Sequence, residues 1–457
     1  MTINDTSNAT VSVVDDLAPE GVAMLQALYS RSSLSHRDHL EKARRTGGAG
    51  FMERYYVGYN HKSIGDCGST TIFMEGVSIL AAKAVQDWSL YSGQETSTRY
   101  IDFAVQGVVD PIGTPLSRAI IDDWIGFYSR SRDRVVASVR ERHPIQPGED
   151  PAVYERAVGA RAFDVLRGFL PAGARTQLSW HTNLRQAADH LSVMLDHPLA
   201  EVRELARLVL IELNERYPSS GFDRGRVLGV SGERAADQAP ERAAWEARAA
   251  GFAYAAPRVA PWVAHADRVS FHTNVRLGAL GDDEVELLAS RPRGCVLPHF
   301  FSRAGTCDIK FLLDYGSWRD VQRHRNGVCR APLLTTDLGF EPWYLEQLDD
   351  GLRSDAIDLI HWQTRRISQV TDDPAARQYM VALGFRVPTI LSYALPAAIY
   401  VLELRSSRAV HPTLRRRVLA AAEQFKRELP GIALHVDTSP SEWDVRRGRQ
   451  TITERAP

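Results

Sequence analysis

With 457 residues, 44% of them hydrophobic and 24% charged, the chain has the composition of a globular protein and the length of two domains of roughly 200 residues each. Its formal net charge of -1 provides no overall pull toward nucleic acid or an anionic membrane, so neither is expected as a partner. The cysteines Cys67, Cys295, Cys307 and Cys329 have no CxxC spacing and no His pair in ligand register, which argues against a disulfide framework and against a metal site.

Residues Met1 to Asp15 are polar and carry no apolar h-region, and no stretch approaches about 20 uninterrupted apolar residues, so a cytoplasmic protein is expected. In chain order, Ala9 to Val14 alternates as a strand does, and Ala18 to Tyr29 has helical spacing of Leu, Val and Ala. Gly68 to Glu75 reads as a strand, followed by helices over Val77 to Tyr91, Pro151 to Leu170 and Ala200 to Tyr217. Long helices mixed with strands, without regular βαβ alternation, predict an α+β fold rather than a doubly wound sheet. No GxGxxG follows a strand and no Walker loop is present, so neither a Rossmann nor a P-loop nucleotide site is expected.

Two landmarks recur in the same order. Lys83-Ala84-Val85-Gln86-Asp87 matches Arg319-Asp320-Val321-Gln322-Arg323, and His197-Pro198, opening an Arg-rich helix that ends at Tyr217-Pro218, matches His411-Pro412, opening one that ends at Leu429-Pro430. Between the copies, Ser219 to Pro261 is rich in Gly, Ala, Arg and Pro, and Ala235 to Ala250 has helix formers with a mostly polar face. The expected division is therefore 1–218, a linker 219–261 with a possible exposed helix and a boundary near residue 235, and 262–457.

The residues that suggest chemistry sit in both copies. Ser97-Thr98-Arg99-Tyr100 follows a predicted helix and the turn Ser92-Gly93; hydroxyls and a planar guanidinium in a loop suit a phosphate, though the tetrapeptide by itself favours a local carboxylate such as Asp102. Arg167-Gly168-Phe169-Leu170-Pro171 is followed by Asn183-Leu184-Arg185; Arg167 could instead neutralise Asp164 on its own helix, and Asn183 could be a helix cap. Arg323-His324-Arg325 concentrates positive charge at a helix end, where an anion or a solvated surface would satisfy it.

From Asn60-His61-Lys62-Ser63 to Gln94-Glu95-Thr96-Ser97-Thr98-Arg99-Tyr100, and again through Arg167 to Arg185, the chain resembles the flavin-dependent thymidylate synthase family. In that family one stretch carries both an Arg-His-Arg triplet and a Ser-x-Arg ending. Here the triplet's place in the first copy is taken by Asp87-Trp88-Ser89, whereas the second copy keeps Arg323-His324-Arg325 but has Leu333 and Thr335 where the Ser and Arg would be. Leu404-Arg405 resembles the family's Leu-Arg, which the first copy replaces with Met194-Leu195, and His299 takes the place of His61.

The resemblance implies an internally duplicated member, a fused pseudo-dimer whose copies have divided one composite site. Complementary loss fits one retained site better than random decay does. The resemblance further implies FAD-dependent reductive methylation of a pyrimidine nucleotide of the dUMP type. Methylenetetrahydrofolate would be the carbon donor and NADPH the reductant, in a homodimer of pseudo-dimers. Ser97, Arg99, Glu95 and Arg167 would bind the nucleotide; Arg405 would bind the pyrimidine and stabilise its developing charge as the catalytic residue. His61, Asn183, Arg185, Arg323, His324 and Arg325 would hold FAD, with no metal. Asp320 stands where the family has Gln before its triplet. That leaves open a flavoenzyme acting on another substrate in modified-nucleoside or secondary-metabolite synthesis, and a non-catalytic relative that binds flavin or nucleotide.

Overall fold

Helix 19–29 begins with Pro19 at its first turn, and helix 36–46 is opened by a capping box in which Ser35 and Asp38 satisfy each other's backbone donors. Their apolar faces meet in a small core of Met24, Leu25 and Ala43, flanked by Val14, Leu17, Leu28, Leu40 and Phe51. The computed structural model describes residues 12–222, 240–241, 244–245, 248, 268–330 and 333–449. The described residues form two compact units, one from those within 1–73, 90–93 and 179–247, the other from those within 74–89, 94–178 and 248–457. These units are divisions by contact and differ from the sequence halves, which concern descent. The expected linker 219–261 lies almost wholly outside the described residues.

The first unit contains helices 19–29, 36–46, 184–194 and 200–216 and a π-helix, Met52–Gly58. The second is organised on a four-stranded antiparallel sheet. We number strands along the chain as β1 (Ser69–Ser78), β2 (Arg175–Asn183), β3 (Ser270–Thr273), β4 (Thr306–Asp314), β5 (Gly327–Arg330) and β6 (Arg386–Ala394). The sheet order is β3-β4-β6-β5, and β1 pairs with β2 separately. Alternation along the first part of β4 buries Cys307, Ile309 and Phe311, each at 2% exposure or less, and from Phe311 to Asp314 both faces are buried. At about 1.5–3 kcal/mol for each large apolar side chain, that buried face fixes the register against a one-residue slip.

The fold is α+β, as the strand and helix pattern predicts. Two local expectations are corrected. Residues 12–14 are not a strand, and residues 9–11 of that segment lie outside the described residues. The helix expected over 77–91 is confined to Ile79–Gln86, because Ser78 caps it by accepting the Ala81 N–H at 3.0 Å, while Val77 and Ser78 still belong to β1.

Part of the architecture occurs twice. A 3-10 turn Arg167–Phe169, β2, an 11-residue helix Leu184–Met194 and a 17-residue helix Ala200–Arg216 follow one another. The same order and lengths return as Gln378–Met380, β6, Leu395–Arg405 and Pro412–Glu428. The two turns hydrogen-bond reciprocally. Ala172 N–H donates to Val381 O and Leu383 N–H to Leu170 O, both at 2.8 Å; Gly173 N–H donates to Tyr379 O and Gly384 N–H to Gly168 O, at 3.0 and 2.8 Å. Exchanging 168–173 with 379–384 maps each bond onto its counterpart. The Arg175 and Arg386 N–H groups likewise reach Gly107 O and Gly339 O, both at 3.0 Å. These two glycines have φ of 76° and 75°, left-handed values that favour Gly at both places.

Candidate functional site

The loop 94–100 is anchored by its one acidic residue. Glu95 accepts from Lys83 Nζ at 2.7 Å and Gln86 Nε2 at 2.9 Å through one oxygen, and from Arg319 through the other. Arg319 also donates to Thr98 Oγ1 at 3.3 Å. Burial pushes the Glu95 carboxyl up, but Arg319 and Lys83 together bring it down to about 2; burial brings the Lys83 ammonium down to about 8 despite Glu95. Both carboxylate oxygens are thus occupied in joining helix 79–86 to helix 315–321. Glu95, expected to touch substrate, is placed as a buried clamp.

The local carboxylate that Arg99 meets is not Asp102, which instead pairs with Arg132 at 2.8 Å. Arg99 Nε and Nη2 donate to the fully buried Asp164 at 2.6 and 3.1 Å, and Nη2 also reaches Ala409 O at 3.2 Å. Asp164 is shared with Arg447, whose Nη2 donates to it at 3.0 Å. Burial raises the Asp164 carboxyl, but Arg447 and Arg99 hold it well below the usual carboxylate range. Ser97 Oγ accepts the Arg99 N–H at 3.3 Å, tightening the turn.

Arg167 is 1% exposed and does not pair with Asp164 across its own turn. It donates to Ser317 Oγ at 2.9 Å and lies 3.4 Å from Asp320 Oδ2, while its Nε has no partner. Asp320 also faces Arg323 at 3.9 Å, and its backbone oxygen accepts from Arg405 Nη2 at 2.7 Å. Burial opposes ionisation of Asp320, yet Arg167, Arg323, Arg99 and Arg405 hold it far below the ordinary carboxylate range.

The triplet Arg323-His324-Arg325 follows helix Tyr315–Val321, which Asp314 caps by accepting the Ser317 N–H at 2.8 Å. Arg325 Nε donates to Gln86 O at 3.0 Å, and Arg323 stands half exposed. Arg405, at the end of helix 395–405, donates from Nε to His324 Nε2 at 2.7 Å. That bond assigns the remaining ring proton of His324 to Nδ1. Burial, then Arg405, Arg323 and Arg325, bring the imidazole down to about 3. His324 is therefore expected to stay neutral from pH 8 to pH 5, with no titration of its NMR resonances in that window and an Nδ1–H tautomer. Because the unfolded chain would take up this proton near pH 6.5, the group's contribution to stability falls as pH drops from about 6.5 toward 3.

Tyr400 makes an edge contact with His324 at 6.1 Å and also lines a cavity of about 270 Å³ bordered by Arg291, Cys295, Leu297, Ile399 and Leu404. Tyr400 therefore stands between His324 and that cavity.

The remaining expected site residues belong to the first unit. His61 is exposed and precedes the short helix Lys62–Gly65. Asn183 caps helix 184–194, its Oδ1 accepting the Gln186 N–H at 2.8 Å. Arg185 pairs with Asp66 at 2.7 Å and Asp189 at 3.1 Å. Asn183→Ala is expected to cost about 1 kcal/mol of stability through the lost cap. Thermal melting of the variant checks this.

The second unit thus brings together Arg99, Arg167, Arg323, His324 and Arg405. Around Asp320 and Asp164, positive charge outnumbers negative even when the buried Asp314 is included, a surplus suited to an anionic ligand. Asp164 and Arg447 were not singled out as site residues by motif. Asp164 was visible only as a possible neighbour of Arg167, and no local pattern marks Arg447. Among the described residues no group of His, Cys, Asp and Glu is placed to hold a metal ion, and no helix is long and apolar enough to cross a membrane.

Residues 13–219 match the family model described as thymidylate synthase complementing protein. The chain is also similar along most of its length to proteins described as UPF0159 proteins. One from Chlamydia pneumoniae is 26% identical over 407 residues, covering 80% of this chain and 76% of that protein. One from Chlamydia muridarum is 27% identical over 461 residues, covering 89% and 84%. One from Thermoplasma acidophilum is 23% identical over 498 residues, covering 91% and 95%.

Proposed function

We propose that this chain, a divergent member of the thymidylate synthase complementing protein family through residues 13–219, is an internally duplicated flavoenzyme that methylates a pyrimidine nucleotide. The observation that carries the reading is the meeting of Arg99 and Arg167, from the first half of the sequence, with Arg323 and Arg405, from the second, around Asp320. The reciprocal bonds between turns 168–173 and 379–384 support descent from two copies of one unit. The proposed halves remain 1–218 and 262–457, with pairing of two such chains into a homodimer.

The cation surplus around Asp320 and Asp164 fits an anionic dinucleotide such as FAD, which Arg323, His324 and Arg325 would hold; the family resemblance also assigns His61, Asn183 and Arg185 to FAD. When bound, FAD would supply the redox chemistry, with NADPH as reductant and methylenetetrahydrofolate as carbon source. The chain's own residues would orient and polarise. Ser97 and Arg99 would meet the nucleotide phosphate, Arg167 would brace the site through Ser317 and Asp320, and Arg405 would face charge developing on the pyrimidine. His324 Nε2, already engaged by Arg405, would serve as a neutral prop for that guanidinium rather than a proton donor at this atom.

A second reading, a flavoenzyme acting on a relative of dUMP, is favoured by two features. Arg99 already satisfies a carboxylate, and Asp320 puts an anion where the family has a neutral amide. The visible spectrum of the purified chain, recorded before and after adding dUMP, tests both. A flavin band that shifts with dUMP supports the first reading; a flavin band indifferent to dUMP supports the second. Absence of a band after incubation with FAD rejects both.

A further inference from the structure

Arg447 lies far outside the stretch that matches the family model, on the short 3-10 helix Val445–Arg449. It nevertheless reaches the same carboxylate as Arg99. Asp164 Oδ1 accepts from Arg99 Nε at 2.6 Å and Arg447 Nη2 at 3.0 Å. Asp164 Oδ2 accepts from Arg99 Nη2 at 3.1 Å and from Arg447 Nη1. Each oxygen therefore serves both guanidiniums, and Asp164 bridges them.

The seat of Arg447 is fixed by shape as well as charge. Its guanidinium lies 5.6 Å from the ring centre of Tyr100, the neighbour of Arg99. Gly448 O accepts from Arg156 Nε at 2.7 Å, and a Cβ on Gly448 would stand 2.0 Å from Val153 O, so a side chain there would collide with backbone. The Arg447 side chain is 7% exposed and that of Arg99 is 16% exposed.

Stability alone is a poor reason for such an arrangement. One carboxylate against two buried guanidiniums leaves a net positive charge, and apolar packing of similar volume would avoid that desolvation. The bidentate bond instead removes rotational freedom from the Arg99 fork. It occupies the Nε–Nη2 edge and leaves Nη1 outside these bonds.

We propose that Arg447 is a positioning residue for anion binding. Acting through Asp164, it locks Arg99 in one orientation and keeps Nη1 for the phosphate of the bound nucleotide. This rests on the reading of Arg99 given above. A segment distant in sequence thereby takes part in substrate recognition by a site whose family motifs lie elsewhere.

The test is titration of the full chain with dUMP, followed by calorimetry or by the flavin spectrum, for Arg99→Ala, Arg447→Gln, Arg447→Lys and the double variant Arg99→Ala/Arg447→Gln. Arg447→Gln is expected to weaken dUMP binding about tenfold, to leave FAD content unchanged, and to add little once Arg99 is gone. Arg447→Lys, which keeps the charge but not the fork, is expected to recover part of the loss. Wild-type affinity in Arg447→Gln alongside weakened binding in Arg99→Ala overturns the proposal, as does a double variant whose losses simply add. Should Arg447→Gln fail to fold, Arg447→Lys decides: weakened dUMP binding at unchanged melting temperature supports the proposal, and wild-type affinity overturns it. An Arg99→Ala variant that binds dUMP normally rejects the underlying phosphate assignment and this inference with it, whereas a wild-type chain that takes up no dUMP rejects dUMP as the ligand that Arg447 helps to position.

Discussion

Glu95→Gln is expected to destabilise the protein by about 3–5 kcal/mol, the usual cost of removing one partner from a buried ion network. The reasons lie in the partners left behind. Lys83 and Arg319 have side chains 3% and 5% exposed, and Glu95 is the carboxylate both of them meet. The amide of Gln could accept a hydrogen bond but would return no charge. A second substitution, Lys83→Met, is expected to recover part of the loss by removing one stranded cation, and the non-additivity measures the coupling. Chemical unfolding of the four members of this cycle checks it. A Glu95→Gln cost below about 1 kcal/mol would place the residue among ordinary surface positions and refute the clamp. Acid should mimic the substitution. The Glu95 pKa falls from 4.5 to about 2 on folding, so its stabilising contribution is present above about pH 4.5 and is lost as pH falls toward 2.

Glu95 also shows where sequence legibility ended. The motif containing it was visible, and so was the recurrence that pairs Lys83 with Arg319. That these recurring cations meet on one carboxylate required knowing that helices 79–86 and 315–321 come together. Nothing in a linear pattern encodes such a meeting, because residues 83, 95 and 319 share no periodicity. Elements held by local rules were easier to read. Helix 200–216 follows its apolar spacing and Asn183 caps as its position before an apolar-periodic run suggests. The helix expected over 77–91 was too long because the pattern does not reveal that Ser78 turns its hydroxyl onto the Ala81 N–H while Val77 stays in β1.

The same distinction separates the arginines. A guanidinium in a motif advertises affinity for an anion but not which anion. Arg99 found Asp164 and Arg167 found Ser317 and Asp320, all inside the protein, whereas Arg323 was left half exposed. The guanidinium edges taken up inside the protein set the local field, and the half-exposed Arg323 is the arginine of the cluster most open to solvent.

Arg323→Ala is therefore the substitution expected to affect ligand most and fold least. Its ion pair with Asp320 spans 3.9 Å and its side chain is 49% exposed, so its direct contribution to stability is small. Loss of a charge-assisted contact to flavin phosphate, at about 1.5–3 kcal/mol, would weaken FAD binding roughly tenfold to over a hundredfold. The change should leave the melting temperature of the apoprotein close to wild type and lower the flavin absorbance of the protein as purified. Arg323→Lys should restore binding incompletely, since a point charge replaces a planar fork. Unchanged flavin content in Arg323→Ala would reject the divided-site reading, because that reading makes the second copy's triplet part of the flavin site. Loss of flavin with Arg99→Ala left flavin-replete but weak for dUMP would support it, since the second copy's triplet and the first copy's Arg99 would then be serving different ligands.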